Sequence, residues 1–333
     1  MDKFRHIRAY RTGWILPVVD FLIIYPILLI MKRKTTQGIQ LHYHGDKQQI
    51  QQDIRHGAFF MTNHRDIVMD AAWLTYLLRT RYFIHPYFGI GNNLFGKWWI
   101  EHVVRFLRAF VVIRNGGFRD QVNNATTLSQ YIRHLRKRHK SIWLAQREGR
   151  AKDGNDVTQA GVLKMLTIDA ENFFESVKEL NICPVSISYE YDPCDYLKAR
   201  EMQLKRDNPT WKKSRKDDLV SMQVGINGQK GRIVYRLTPS INHDIDQLLT
   251  LHPDILDKSR NEQIQYVCQI IDQHIHAAYE IYPRGKEFDA YIDSRLQMIH
   301  LSNKDESYLR ERLYEMYNNP VKNYQLAKNN TTI

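Results

Sequence analysis

The stretch GAFFMTNHRDIVMD, residues 57–70, places an apolar run directly before a cluster of polar and ionisable side chains. Short runs that are rich in β-branched and aromatic residues are typical of buried strands. Three further runs of this kind also end at polar residues: FVVI at 110–113, SIWLAQ at 141–146 and ICPVSISY at 182–189. The chain therefore predicts four buried strands, each with polar or charged residues at its carboxyl end.

Helical periodicity fills the segments between these runs. AAWLTYLLR at 71–79 repeats apolar residues on one face, and residues 121–139 and 159–178 are further helix candidates. GRIVYRL at 231–237 alternates like a late edge strand, and the remaining chain looks helical, most clearly at 263–279. Strands that alternate with helices predict an α/β sheet.

Residues 198–216 carry eight Lys and Arg residues without a regular pattern. They predict a basic loop or a solvated helix face.

In α/β sheets, functional sites gather beyond the carboxyl ends of the strands. This rule places His64, Arg114 and the segment 148–150 at one edge, if their strands are neighbours and run in the same direction. Asp70 begins the helix after His64, where the helix dipole favours a carboxylate. From there it can bond one imidazole nitrogen and leave the other to accept a proton from a hydroxyl. The alternative is a loop histidine and a helix-capping aspartate that do not touch.

The turn QREGRAKDGND at 146–156 carries charges of both signs. Gly149 allows the backbone to approach a ligand closely, and the guanidinium of Arg147 or Arg150 can fork onto a phosphate. Arg114, at the end of another strand, offers a second contact for the same phosphate. Together with His64, these residues predict a general base beside an anion pocket.

Composition indicates the class of binding partner but does not identify a single one. The chain has 333 residues, a formal net charge of +12, 43% hydrophobic and 25% charged residues, which excludes a disordered chain or a polytopic membrane protein. The positive charge favours an anionic partner: nucleic acid, an acidic membrane surface or an acidic protein. The widely spaced Cys183, Cys194 and Cys268 predict neither a disulfide scaffold nor a zinc site.

The N-terminal stretch WILPVVDFLIIYPILLIM, residues 14–31, is strongly apolar and has basic residues on both sides. Its length is at the short end for a spanning helix, and Asp20 and two prolines oppose a span. We expect a helical hairpin or kinked helix dipped into one leaflet and held on anionic lipid by its basic flanks. A helix packed on its own domain and a true single span are the alternatives. Residues 97–110 are either part of the membrane face or a core helix.

The four runs and their polar ends resemble, in order, the four motifs of the glycerolipid acyltransferases. This family contains the bacterial lysophosphatidic acid and glycerol-3-phosphate acyltransferases. NHRDIVMD resembles the NHxxxxD block, FVVIRNG the second block, REGRAKDG the EGTR block and ICPVSISY the fourth block, which is built around a proline. The resemblance covers roughly residues 41–239.

Two departures from the family pattern matter. Five residues rather than four separate His64 from Asp70, so Asp66 is an alternative partner for the histidine. We favour Asp70 because it keeps the position at the start of the helix. In the third block, Ala151 replaces the usual threonine, and Gln-Arg precedes the glutamate where the family usually has Phe-Pro. This second departure concerns the head group of the acceptor more than the reaction.

The resemblance implies a mixed sheet flanked by helices. It divides the chain into an N-terminal membrane-associated helical segment at 1–40, an α/β acyltransferase domain at 41–245 and a helical C-terminal extension at 246–333. It also implies attachment to the cytoplasmic face of the cell membrane.

The resemblance further implies an O-acyltransferase. A fatty acyl chain would move from a coenzyme A or acyl carrier protein thioester to a hydroxyl of a lysophospholipid or glycerol phosphate. His64 would act as the general base, without a covalent acyl-enzyme, a metal or any cofactor besides the thioester.

Site roles follow from the same resemblance. Arg114 and Arg150 would hold the acceptor phosphate, and Glu148 would orient Arg150 or an acceptor hydroxyl. The remaining motif residues would shape or support the site: Gly149, Asn63 and Pro184.

Two rival functions remain open. A lipid or thioester hydrolase could use the same His64–Asp70 pair with water as the acceptor. A nucleic-acid-binding protein would fit the positive charge, but no recognised binding motif accompanies it and the apolar N-terminus would have no role. We therefore expect a membrane surface and lipid substrates as partners, and no nucleic acid.

Overall fold

The computed structural model describes residues 3–95, 98–113 and 116–329, in which a seven-stranded sheet is flanked by helices. The strands are β1 Gly38–Tyr43, β2 Phe59–Thr62, β3 Tyr87–Gly91, β4 Ala109–Val112, β5 Ile142–Ala145, β6 Ile182–Tyr189 and β7 Arg232–Leu237. Their order is β1-β7-β6-β2-β5-β3-β4. Only β6 and β7 pair in antiparallel fashion, so β2 to β6 share one direction and the predicted mixed α/β sheet is confirmed.

The four strands predicted from the apolar runs are β2, β4, β5 and β6. The prediction that residues 231–237 form an edge strand is wrong, because β7 lies between β6 and β1. Two strands, β1 and β3, were not predicted. Side chains of β1 alternate between buried and exposed, and β3 contains two glycines and is mostly half-buried, so neither has a continuous apolar run.

Thirteen helices cover much of the rest of the described chain. They are α1 Ile15–Thr35, α2 Lys47–Arg55, α3 Met69–Tyr82, α4 Trp98–Phe106, α5 Phe118–Arg136, α6 Ala160–Leu166, α7 Phe173–Leu180, α8 Asp195–Asp207, α9 Arg215–Asn227, α10 Asn242–Leu251, α11 Arg260–Ala277, α12 Glu287–Gln297 and α13 Glu306–Asn329.

Two segments differ from the helix predictions. Residues 159–178 contain two helices rather than one, because Thr167 leaves the helical conformation and the side chain of Asn172 caps α7. Residues 198–216 fall mainly on α8 and the start of α9. Lys198 of this segment is buried and pairs with Asp192 at 2.5 Å, so it does not belong to a solvated face.

The core lies on both faces of the sheet. Phe59 and Met61 of β2 point into a cluster with α5, α7 and α11, whereas Phe60, between them, points into a cluster with α3. This alternation is that of a strand buried on both faces. The described C-terminal helices α12 and α13 form a third cluster against α8. The boundaries at 40/41 and 245/246 stay predictions.

The N-terminal segment forms one continuous helix, α1, so of the two expected forms, a hairpin and a kinked helix, the hairpin is wrong. A wide turn at Asp20–Ile24, in which the Tyr25 amide donates to the Asp20 carbonyl, ends two residues before Pro26. This turn accommodates Pro26, which has no amide hydrogen and would crowd the carbonyl four residues before it. Among the described residues, α1 alone is long and apolar enough to cross a membrane, a test that signal sequences and buried core helices also pass.

Candidate functional site

A cavity of about 1090 Å³ opens at the carboxyl end of the central strands. His64, which follows β2, and residues 148–150, which follow β5, both line this cavity. The two strands are parallel neighbours, with Thr62 opposite Ala145. The structure therefore brings these predicted residues to one edge. Arg114 lies outside the described residues, although β4, the strand before it, points the same way.

His64 is bonded to Asp70. The imidazole Nδ1 lies 3.0 Å from Asp70 Oδ2, and the carboxylate is fully buried. Because a carboxylate only accepts hydrogen bonds, Nδ1 carries the proton in this pair and Nε2 is left as the basic nitrogen. The imidazole ring also packs edge-on against Trp143, with centroids 6.4 Å apart. This arrangement fixes both the tautomer and the orientation of His64.

Asp70 is held by the backbone that follows His64. The amides of Arg65 and Asp66 donate to Asp70 Oδ2 at 2.7 and 2.9 Å. Two consecutive amide donors stabilise the negative charge of the carboxylate. They are also committed to Asp70, so these two amides cannot serve as donors to an oxyanion.

Asp66 has a different role in the structure. Its Oδ1 accepts the amides of Val68 and Met69 at 2.9 and 2.8 Å, which caps the start of α3. Its other oxygen packs against Gly225 of α9, where a Cβ would come within 2.1 Å of it. Burial, followed by the charge of Asp70, raises the pKa of Asp66 above its ordinary value. The extra residue between His64 and Asp70 thus belongs to a capped turn.

Asn63 and Pro184 lie behind the site rather than in it. Asn63 is fully buried, donates to the Ile187 carbonyl at 2.9 Å and accepts the Ile187 amide at 2.7 Å. These two hydrogen bonds to β6 anchor the residue that precedes His64. Pro184 lies opposite Met61, and its carbonyl accepts from the amide and hydroxyl of Thr238. Pro184 does not line the cavity.

The turn after β5 carries Glu148, Gly149 and Arg150. The amide of Glu148 donates to Gln159 Oε1 at 2.7 Å. Gly149 is exposed and has a φ of +69°, in the left-handed region that favours glycine. No neighbouring atom lies within 4 Å of a Cβ built at Gly149, so backbone conformation rather than crowding selects glycine there.

Arg150, which lines the cavity, has an unused donor. Its Nη1 atom is buried and makes no hydrogen bond to any residue that the structure describes. Burial by itself lowers the pKa of Arg150, but Cys194, Asp192 and Asp66 more than offset this and raise it. Arg150 therefore stays cationic with a nitrogen available to an anionic ligand.

Most other cations near Arg150 already have anionic partners. Lys198 pairs with Asp192, Lys152 with Glu201, and Lys213 with Asp218. Arg147 also lines the cavity; its Nη1 reaches the Asn155 carbonyl at 3.4 Å, and its Nε is buried without a hydrogen bond to a described residue. The two arginines of this turn thus supply the unused guanidinium nitrogens of the site.

One site residue was not predicted. Tyr189, the last residue of β6, donates its hydroxyl to Asp70 Oδ1 at 3.1 Å, on the carboxylate oxygen that His64 does not use. Burial raises the pKa of Tyr189 well above its ordinary value, so it remains a neutral donor. The terminal tyrosine of the fourth run was the available signal, since β6 neighbours β2.

Comparison with known proteins adds nothing to this geometry. No family model matches the chain, and no curated protein matches it. Within residues 3–95, 98–113 and 116–329, no group of three or more His, Cys, Asp or Glu side chains is arranged to hold a metal ion.

Proposed function

We propose that the protein is an O-acyltransferase that moves a fatty acyl chain from a thioester to a hydroxyl of a lysophospholipid or glycerol phosphate. One observation carries the proposal. His64, held by Asp70 at 3.0 Å, lines a cavity of about 1090 Å³ whose wall also includes Arg150. A base, a large cavity and an unused guanidinium nitrogen thus meet at one edge of the sheet.

The reaction needs no covalent enzyme intermediate. His64 Nε2 takes the proton from the acceptor hydroxyl, and the resulting alkoxide oxygen attacks the thioester carbonyl carbon. The new carbon–oxygen bond forms as the carbon–sulfur bond breaks, and the leaving thiolate recovers the proton from the imidazolium. Asp70 stabilises the imidazolium between these two steps through Nδ1.

The size and lining of the cavity suit an acyl chain. Its volume lies slightly above the roughly 300–1,000 Å³ that small-molecule sites usually have. Apolar side chains from several elements line it, including Ile67, Phe88, Leu107, Leu128 and Met165. An acyl chain buried among them would be stabilised by about 0.8 kcal/mol for each methylene removed from water.

The arginines suit the other end of a phosphorylated acceptor. A guanidinium binds a phosphate with two parallel hydrogen bonds, and Arg150 retains a buried donor for this purpose. Arg114 would add a second contact. Glu148 also lines the cavity, where it would orient an acceptor hydroxyl.

Helix α1 suits attachment in the plane of a membrane. Leu16, Asp20, Leu28 and Thr35 form a buried stripe along its whole length, so the helix is packed on the α/β domain from end to end. Its opposite face is apolar and exposed, as at Phe21, which is 72% exposed. A helix that crossed the bilayer would lose these packing contacts, whereas one that lies in the interface keeps them. Its basic flanks suit anionic lipid on the cytoplasmic face.

Assays of purified full-length protein would test the reaction. Acyl-coenzyme A and acyl carrier protein thioesters would be supplied with glycerol 3-phosphate, lysophosphatidic acid or other lysophospholipids, and products followed by mass spectrometry. We expect an ester product that depends on the acceptor. Release of free fatty acid at the same rate with and without acceptor would instead support the hydrolase.

A flotation assay would test the attachment. Phe21→Ser and Leu22→Ser remove apolar area from the exposed face of α1, so we expect weaker binding to anionic liposomes. High salt alone should release the wild-type protein poorly, because ions screen charges but leave apolar burial intact. Complete release by salt would show that the attachment is only electrostatic.

A further inference from the structure

A second group of polar side chains lines the same cavity on the side of α1. Asp20 is 2% exposed; its Oδ1 lies 3.6 Å from His85 Nε2 and its Oδ2 lies 3.9 Å from Arg79 Nε. Both distances are longer than a hydrogen bond. Asp20, Tyr25 and His85 all belong to the cavity wall, next to apolar residues such as Ile24 and Leu28.

Two oxygens in this group lack hydrogen bonds. Asp20 Oδ2 and the Tyr25 hydroxyl are buried, and neither makes a hydrogen bond of good geometry with the part of the chain that the structure describes, although the Arg79 guanidinium lies near the Tyr25 hydroxyl. Buried polar atoms are nearly always hydrogen-bonded, because leaving one unbonded costs roughly 1–3 kcal/mol. The charge of Arg79 offsets the charge of Asp20, but at these distances neither Arg79 nor His85 provides Asp20 with a hydrogen bond.

Attachment of α1 to the domain does not explain the cluster. Apolar residues of similar size stabilise such contacts as well as a buried ion pair does, and often better. The rest of the buried stripe of α1 is mainly apolar, as at Leu16 and Leu28. A carboxylate and a phenol in the wall of a largely apolar cavity therefore indicate a polar group on the molecule that occupies it.

We propose that Asp20 and Tyr25 form a subsite for a hydroxyl group on the hydrocarbon chain of a lipid substrate. The hydroxyl would donate to Asp20 Oδ2 and accept from the Tyr25 hydroxyl, which satisfies both orphan oxygens at once. This inference rests on the proposed function in one respect, that the ligand of the cavity is a lipid. The hydroxylated chain could belong to the acyl donor or to the lysolipid acceptor.

The subsite predicts a preference for hydroxylated chains over plain ones. A site built to hydrogen-bond a hydroxyl rejects the analogue that lacks it, because the buried groups then stay unbonded. Since the subsite lies at one place in the cavity, the preference should peak at one position of the hydroxyl along the chain.

Competition binding would test this on the full-length protein in detergent micelles. Palmitate and a series of hydroxypalmitate isomers would displace a fluorescent fatty acid. We expect one isomer to bind roughly tenfold to a hundredfold more tightly than palmitate, the range for a hydrogen bond to a charged group. Equal affinities across the series would overturn the proposal and leave the cluster as a hydrated structural contact.

Variants locate the effect. Tyr25→Phe and Asp20→Asn should each reduce the ratio of hydroxypalmitate to palmitate affinity, and thermal melts would show that both are folded. Tyr82→Phe is the matched control, because its hydroxyl bonds to Tyr43 and Tyr82 does not line the cavity. An undiminished ratio in folded Tyr25→Phe and Asp20→Asn would also overturn the assignment.

The binding assay uses free fatty acids, so it does not depend on acyl transfer. A hydroxyl preference in a protein without transferase activity would keep the subsite and overturn the proposed function. Transferase activity without any preference for hydroxylated chains would support the proposed function and overturn the subsite. In an active protein, two reactions would identify which substrate carries the hydroxyl. One combines a hydroxyacyl thioester with a plain acceptor, and the other combines a plain thioester with a hydroxyacyl lysolipid.

Discussion

The groups that hold His64 and the arginines of the turn that follows β5 differ in how completely they are bonded. After β2, the Asp70 carboxylate accepts four hydrogen bonds, from His64, two backbone amides and Tyr189. Asn63 and Asp66 each make two hydrogen bonds to the backbone. After β5, Arg147 and Arg150 each keep a buried nitrogen without a hydrogen bond to a described residue. Arg65, in the turn after β2, also keeps a buried Nε without a hydrogen bond to a described residue, but unlike Arg147 and Arg150 it does not line the cavity.

This difference separates orientation from recognition. A general base must be held in one tautomer and one direction before the substrate arrives, and the bonds around His64 do this. Groups that bind a ligand must keep donors for it, and the arginines do this. The β2 turn therefore has the character of catalytic machinery and the β5 turn that of a binding surface. Substitutions in the two turns should affect different kinetic constants.

Among four substitutions in or next to these two turns, Asp70→Asn should have the largest effect on kcat/KM. Asparagine keeps the shape but loses the charge that stabilises the imidazolium, so we expect kcat/KM to fall on the order of a hundredfold or more. Asp66→Asn is the matched control, because Asp66 contacts backbone amides rather than His64. Both should be measured beside thermal melts. If Asp66→Asn were the impaired variant, Asp66 rather than Asp70 would be the functional partner.

Arg150→Lys should act mainly on acceptor binding. Lysine keeps the charge but loses the forked pair of donors, so the KM for a phosphate-bearing acceptor should rise about tenfold, with less change in kcat. The control is Arg206→Lys, since Arg206 lies at the surface beside Asp207 and Asp305. An unchanged acceptor KM in Arg150→Lys would assign the phosphate to another group.

Tyr189→Phe should have a moderate effect on rate. Without the phenol, Asp70 loses one hydrogen-bond donor and is held less firmly in place against His64, so we expect kcat/KM to fall about threefold to tenfold. Tyr235→Phe is the control, because its hydroxyl donates to the Asp70 backbone carbonyl at 3.1 Å and not to the carboxylate. A similar loss of rate in both variants would mean that only packing is affected.

Asp66→Asn should have the smallest effect on rate and a defined effect on stability. The pKa of Asp66 is raised by burial and by Asp70, so the folded state binds its proton more tightly than the unfolded state. The stability from this group is then greatest below the unfolded pKa of about 3.9 and falls as pH rises toward the folded pKa. Asparagine cannot titrate, so as the pH rises over that interval the free energy of unfolding of Asp66→Asn should increase relative to that of the wild type. Urea unfolding between pH 4 and 7 would measure this, and a decrease would contradict it.

Much of the sheet could be predicted, because β2, β4, β5 and β6 are mainly apolar and almost wholly buried. β1 could not, since its side chains alternate between buried and exposed, and Gly89 and Gly91 obscure β3. The site could be predicted only where its residues lie close together in the sequence. His64 and Asp70 are six residues apart, whereas Tyr189 reaches Asp70 from 119 residues away.

The choice between Asp66 and Asp70 also required geometry, because both lie near the start of α3 and only the turn shows which faces His64. Asp20 illustrates the same limit. In the sequence it is a charge in an apolar run that opposes membrane insertion, but in the structure it faces the domain and lines the cavity. Periodicity alone did not indicate which face of α1 would be buried.

The most direct measurement compares purified wild-type protein with His64→Ala in an assay of acyl transfer from a thioester to a lysophospholipid or glycerol phosphate. His64 lies in the loop after β2 rather than in a strand or helix, so the variant should fold, which a thermal melt would verify. We predict ester formation by the wild type and a loss of at least about a hundredfold in the variant, the contribution of a general base. Wild-type turnover by folded His64→Ala would contradict the account.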